Sequence, residues 1–332
     1  SLRFGALMLA VFDVSSNMAM QPFKMMVGDM VNDKQKSYAY GIQSFLSNTG
    51  GVIAAILPFV FAYIGLANTA PKGVVPQTVI VSFYVGAAIL VITSALTIFK
   101  VKEYDPETYA RYHGIDARAN HEKVSWIDLL KQAPKAFWTV ALVQFFCWFA
   151  FQYMWTYSAG AIAENVWQTT DASSSGYQAA GNWYGVLAAV QSIAAVVCSY
   201  VLAKVPNQYH KAGYFTSLAL GALGFFSIFF VTDQYVLVGS YILIGIAWAG
   251  ILTYPLTIVT NALSGKHMGT YLGLFNGSIC IPQIIASLLS FGLYPLLGGQ
   301  QANMFLAGGI ALLLGACSVF FIKETHGKAP SA

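Results

Sequence analysis

A chain of 332 residues with 57% hydrophobic, 15% aromatic and only 9% charged residues is too poor in charge for a soluble domain, where about a quarter of residues are charged. The net charge of +4 forms no basic stripe interleaved with aromatics, which excludes a nucleic-acid partner. Cys147, Cys198, Cys280 and Cys317 lie in apolar runs without CxxC spacing, so neither a disulfide framework nor a metal site is expected.

Apolar runs long enough to cross a bilayer are predicted at 4–31, 38–66, 77–99, 137–163, 177–203, 213–232, 235–262, 268–297 and 302–322. The runs are continuous rather than alternating, which predicts helices and not a barrel. Of the 17 Lys and Arg, fourteen fall at one set of ends, only Arg3 and Lys72 at the other, and Lys24 lies inside the first run. The positive-inside rule makes the first set cytoplasmic, so the C-terminus is cytoplasmic.

The first run holds the costliest residues. In "FDVSSNMAMQPFKMMVGDMV", Asp13, Asn17 and Lys24 are four and eleven residues apart, which puts them on one helical face with Ser16 and Gln21 beside it. A charge near mid-membrane is expensive unless it is paired, hydrated or protonated. Asp13 is therefore a candidate to exchange a proton and to bind a polar substrate. Lys24 either joins that site or snorkels to the interface near Asp29.

Residues 100–136 are polar and hold nearly half of all charges. They read as a cytoplasmic linker between a helical bundle at 1–99 and a six-helix bundle at 137–323, with a cytoplasmic tail at 324–332. Six helices after such a linker suggest a six-plus-six plan. Three helices are then expected ahead of Ser1, which would also place the N-terminus in the cytoplasm.

In the fourth run, Trp148, Gln152 and Trp155 are four and seven apart, a face with two indoles and an amide. Flat indoles stack on the apolar face of a sugar ring and an amide meets its hydroxyls. The other reading is an aromatic core or an interface belt. Glu164, near the outer end, is read as solvated. In the fifth run, Asn182 and Gln191 are nine apart and point to different faces, with Asn182 the candidate for a cavity. In the eighth run, Gly269, Gly273 and Gly277 form a stripe expected to pack closely. Asn276 and Gln283 share a face that lines a cavity or bonds a neighbouring helix. The sequence has no GxxxxGK[ST], no HExxH and no His–Asp–Ser set inside the runs, so neither an ATP-driven engine nor an enzyme is expected.

"FDVSSNMAMQPFKMMVGDM" together with "GTYLGLFNGSICIPQIIASLLS" resembles the sucrose–proton symporter group and its bacterial maltose-permease relatives, within the major facilitator superfamily. Asp13, Asn17, Pro22, Lys24 and Asp29 fill the pattern of that family's fourth helix. Trp148, Ala150 and Phe151 approximate a family motif in the seventh, and "TTDASSSGYQAAGNWYGVL" is similar to the maltose-type members. Two departures are plain. Plant-type members have Arg at the position of Lys24, and the loop "VPNQYHKAG" is a degenerate form of the superfamily's basic motif. The resemblance implies an all-α fold with the nine spans as helices four to twelve of twelve, and Asp13 and Lys24 as proton-coupling residues. It implies import of a disaccharide, maltose- or sucrose-like, with protons by alternating access, as a monomer in a bacterial inner membrane. The alternatives are coupling to Na+ in place of H+, export of a glycoside, or a sensor or scaffold on a carrier fold. No cofactor is expected. Asp13, Asn17, Gln21, Trp148, Gln152, Trp155, Asn182, Asn276 and Gln283 are the candidate sugar contacts.

Overall fold

The structure, a computed structural model, describes residues 33–71, 74–102, 104–105, 107–108, 111, 125–202, 204–263 and 268–322. Before residue 33 it describes only positions 4, 8, 11, 12, 15, 16, 18, 19, 23, 26 and 30, all of them helical. Among the described residues there are nine α-helices and no strand. They are α1 (Asp33–Tyr63), α2 (Gln77–Lys100), α3 (Trp126–Gln132), α4 (Lys135–Val166), α5 (Ser175–Leu202), α6 (His210–Phe230), α7 (Leu237–Ala262), α8 (Met268–Leu296) and α9 (Gln301–Ser318). All but the seven-residue α3 are long and apolar enough to span a membrane, so eight of the nine predicted spans are present as helices. The predicted span 4–31 lies mostly outside the described residues.

Helix ends follow local chemistry. Gly65 takes φ +99°, a left-handed conformation open to glycine, just past the end of α1. Pro134 stands at the N-cap of α4, where its missing N–H costs nothing. Before α5, the Ser174 hydroxyl accepts the Tyr177 N–H at 3.1 Å, and before α7 Asp233 accepts the N–H groups of Tyr235 and Val236. Residues 100–136, read as a linker, include a short helix, α3. Its Leu129 is buried, and the Leu129 carbonyl accepts the Tyr271 hydroxyl of α8 at 3.1 Å. At Asp105 the Thr108 N–H and hydroxyl hold the carboxyl below its ordinary pKa.

By backbone contact the chain forms two compact units, residues 1–47 with 88–128, and residues 48–87 with 129–332. In the second unit α4 packs mainly against α9 and α8, α6 against α7 and α9, and α5 against α7. Gln178 on α5 donates to the Ala70 carbonyl at 3.2 Å. Because lipid tails are as apolar as leucine, helices in a bilayer are held by close fit rather than by hiding grease from water. Close fit is visible between α6 and α7. Gly213, Gly221 and Gly224 of α6 face Tyr254, Ala247 and the Ser240 carbonyl of α7, while Gly250 of α7 faces Ser217 of α6. Gly245 lets α7 approach the backbone of Gln191 on α5.

The stripe expected to pack, Gly269, Gly273 and Gly277 on α8, meets no other helix among the described residues. Nothing lies within 4 Å of a Cβ added at Gly269 or Gly273, and at Gly277 only Ile281 of the same helix does, at 3.8 Å. Spacing by four puts glycines on one face, but α8 meets α4 with a different face.

A Cβ at Gly224 would lie 2.7 Å from the Ser240 carbonyl, a backbone atom that cannot swing aside. Gly224→Ala is therefore expected to destabilise the bundle by about 1–3 kcal/mol. Gly239→Ala, where the added methyl meets nothing, is expected to be neutral or stabilising. Melting in detergent checks both, and equal midpoints for the two variants would contradict the close approach.

Candidate functional site

Helix α4 carries two aromatic ridges. Phe145, Phe149, Tyr153 and Tyr157 recur every four residues along one side, with ring centroids 6.4, 4.9 and 5.9 Å apart in turn. The ridge ends on α8, where Tyr157 stacks on Tyr294 at 5.7 Å and 11°. The second ridge is Trp148, Phe151 and Trp155. Trp148 and Trp155 lie 6.1 Å apart, as their spacing predicts. Both fall in the middle third of the 32-residue α4.

A third indole joins them from α7. Trp248 sits 5.4 Å from Trp148 and 5.8 Å from Trp155, edge to face with both at 75° and 82°. Phe151 lies 5.1 Å from Trp248 and backs the group. Behind it Phe225 of α6 and Phe305 of α9 continue the aromatic contact at 5.7 and 5.6 Å. Gly308 of α9 leaves room for the Phe225 ring. Sequence reasoning missed Trp248, whose neighbours one turn away in "IGIAWAGIL", Ile244, Gly245, Ile251 and Leu252, carry no polar or aromatic side chain.

The three indoles differ in exposure. Trp155 is 41% exposed, while Trp148 and Trp248 are half-buried against the core. The Trp148 Nε1 is buried with no hydrogen-bond partner among the described residues. Gln152, one turn from each α4 indole, donates from Nε2 to the Ser287 hydroxyl of α8 at 3.2 Å. Ser287 lies four residues beyond Gln283, so the two share a face of α8.

The remaining candidates stand apart from this group. Gln283 and Asn182 are half-buried, and Asn276 donates to Cys280 Sγ of its own helix at 3.7 Å. Gln191 is buried. Asp13, Asn17, Gln21 and Lys24 lie outside the described residues. Among the described residues no cluster of His, Cys, Asp or Glu has the makings of a metal site.

Glu164, read as solvated near a helix end, is half-buried and also caps a neighbouring helix. Its Oε1 accepts the Gln301 N–H at 3.0 Å and its Oε2 the Ala302 N–H at 3.1 Å. A helix start exposes amides that its own turns cannot satisfy, and a carboxylate there also meets the positive end of the helix dipole. The Gln301 side chain rests where Gly160 of α4 has no Cβ. The α4 end is thereby fastened to α9 in the same stretch where Tyr157 meets α8.

The sequence pattern of the Major Facilitator Superfamily matches residues 4–287. The chain belongs to that superfamily. It is a multi-pass membrane protein with a transporter fold, and the superfamily's members are transporters rather than enzymes. No curated protein matches the chain closely enough to count as a relative.

Glu164→Ala is expected to cost about 1–2 kcal/mol, the usual loss for a removed helix cap. It should also speed hydrogen exchange at the amides of Gln301 and Ala302. Glu164→Gln keeps one acceptor and should lie between. Unchanged exchange at those two amides in Glu164→Ala would show that the cap contributes nothing.

Proposed function

We propose that the protein imports a disaccharide, maltose- or sucrose-like, together with protons by alternating access. The observation that carries the sugar reading is the α4 indole pair at mid-height of its helix. Substrate sites of secondary transporters lie near the bilayer midplane. There Trp155 offers ring surface, Gln152 supplies an amide one turn away, and Trp148 holds a buried N–H that no group among the described residues accepts. A buried donor left without a partner costs about 1–3 kcal/mol. A sugar oxygen brought to this face would relieve that cost. Asn182, Asn276 and Gln283 are candidate further contacts, as are Asn17 and Gln21.

The proton reading rests on Asp13, a carboxylate in an apolar run of a transporter, with Lys24 as its coupling partner. A carrier couples two gradients when binding of each ligand raises affinity for the other, and the two factors must be equal. Orientation in a bacterial inner membrane with a cytoplasmic C-terminus, and action as a monomer, complete the proposal.

Two measurements test it in the protein reconstituted in lipid vesicles. Trp155→Ala is expected to weaken sugar binding by about 1–3 kcal/mol, as loss of a stacking platform does for bases. Trp138→Ala, at the Lys135 end of the same helix, should leave binding unchanged. Asp13→Asn keeps the shape of a neutral carboxyl but releases no proton. It is expected to abolish accumulation of labelled sugar under an inward proton gradient while sparing sugar–sugar exchange. Accumulation equal to the parent's would remove Asp13 from the coupling mechanism.

A further inference from the structure

We propose that Trp248, on α7, is a specificity-determining residue of this site: a second sugar platform that favours two linked rings over one. The inference rests on the sugar reading of Trp155 given above. Three observations lead to it. Trp248 lies in the middle third of the 26-residue α7, level by position with the α4 indoles in α4. Its ring is only half-buried, whereas Ala247, Ala249 and Ile251 around it are buried and supply the packing of α7. Its plane stands at 82° to that of Trp155, with the centroids 5.8 Å apart.

That angle selects a ligand shape. A pyranose has one apolar C–H face, and a single indole holds one such ring. Two pyranoses joined through a glycosidic oxygen are turned relative to each other about that link. A corner of two indole faces near a right angle receives one ring on each wall. A monosaccharide uses one wall and gains little from the second. Trp148 touches both walls and closes the corner, 6.1 Å from Trp155 and 5.4 Å from Trp248. Because the walls come from different helices, a disaccharide spans α4 and α7 while a monosaccharide engages α4 alone.

The test is titration of the purified protein in lipid nanodiscs with maltose, sucrose and methyl α-glucoside, read by calorimetry. The parent and Trp155→Ala, Trp248→Ala and Trp248→Phe are compared. The parent is expected to bind its better disaccharide about tenfold or more tightly than the methyl glucoside, the scale of one lost stacking contact. Trp248→Ala should erase most of that ratio by weakening the disaccharide alone, with the methyl glucoside changed by less than about twofold. Trp248→Phe keeps a smaller flat face and should retain part of the ratio. If Trp248→Ala does not fold, the ratio in Trp248→Phe decides. An undiminished ratio in Trp248→Phe then overturns the proposal. So does an undiminished ratio in a folded Trp248→Ala, or an equal loss for both kinds of sugar, since either assigns Trp248 to packing. If Trp155→Ala weakens every sugar in those cases, the sugar reading survives and only the role of Trp248 falls. If no sugar binds the parent, both fall together.

Discussion

Hydrocarbon offers no partner to a backbone N–H or C=O, and every other feature of the molecule is arranged within that limit. It makes each described span a continuous helix, even across Pro58, Pro255 and Pro282. It also removes the usual driving force for packing, since lipid covers a leucine as well as a neighbouring helix does. What is left to hold helices in register is shape. Between α6 and α7 shape means glycine, which lets the backbones meet. Along α4 it means aromatic rings, whose edge-to-face contacts add about 0.5–1.5 kcal/mol each beyond burial.

These two devices together orient the candidate site. The ridge from Phe145 to Tyr157 fixes α4 against α8, and Glu164 fastens the same end to α9. With its rotation set on that side, α4 turns Trp148 and Trp155 towards α7. The glycine contacts at Gly221, Gly224 and Gly250 set the position of α7, and so the place of Trp248. An indole surface held in this way loses little freedom when a ligand arrives, which is the condition for a rigid stack to contribute affinity.

The spans were legible in the sequence because bilayer thickness imposes a length, and runs of about 20 apolar residues stand out whatever packs around them. The structure places Gly65, Pro134 and Ser174 at their ends, where a glycine, a proline and a hydroxyl suit a helix terminus. The pairing of Trp148 with Trp155 was legible because both lie on one helix at a spacing that permits contact. Three features were not legible, for a common reason. Trp248 meets its indole partners from a different helix, about a hundred residues along the chain. Glu164 caps amides 137 and 138 residues away. The α8 glycines have the spacing of a packing stripe but, among the described residues, no neighbouring helix on that face. In each case the deciding fact is which distant segment arrives, and local periodicity carries no record of it. Asp13, which lies outside the described residues, stands out in the sequence as a cost, a carboxylate where charge is expensive, and that cost is independent of packing.

Exposure of an indole in a membrane protein is weak testimony by itself, because acyl chains cover an aromatic face at no penalty. The polar groups beside the indoles separate a site from a lipid-facing patch. Lipid supplies no acceptor for the Trp148 N–H, and an amide such as that of Gln152 on a lipid-facing surface would be left in hydrocarbon. Gln152 is instead held by Ser287, a neutral hydroxyl that can release it to another partner at little cost. The arrangement combines a flat apolar surface with one donor unpaired among the described residues and one amide held by a hydroxyl. A ligand apolar on its faces and polar at its edges satisfies all three at once, and a ring with hydroxyls at its rim has that character where an acyl chain does not.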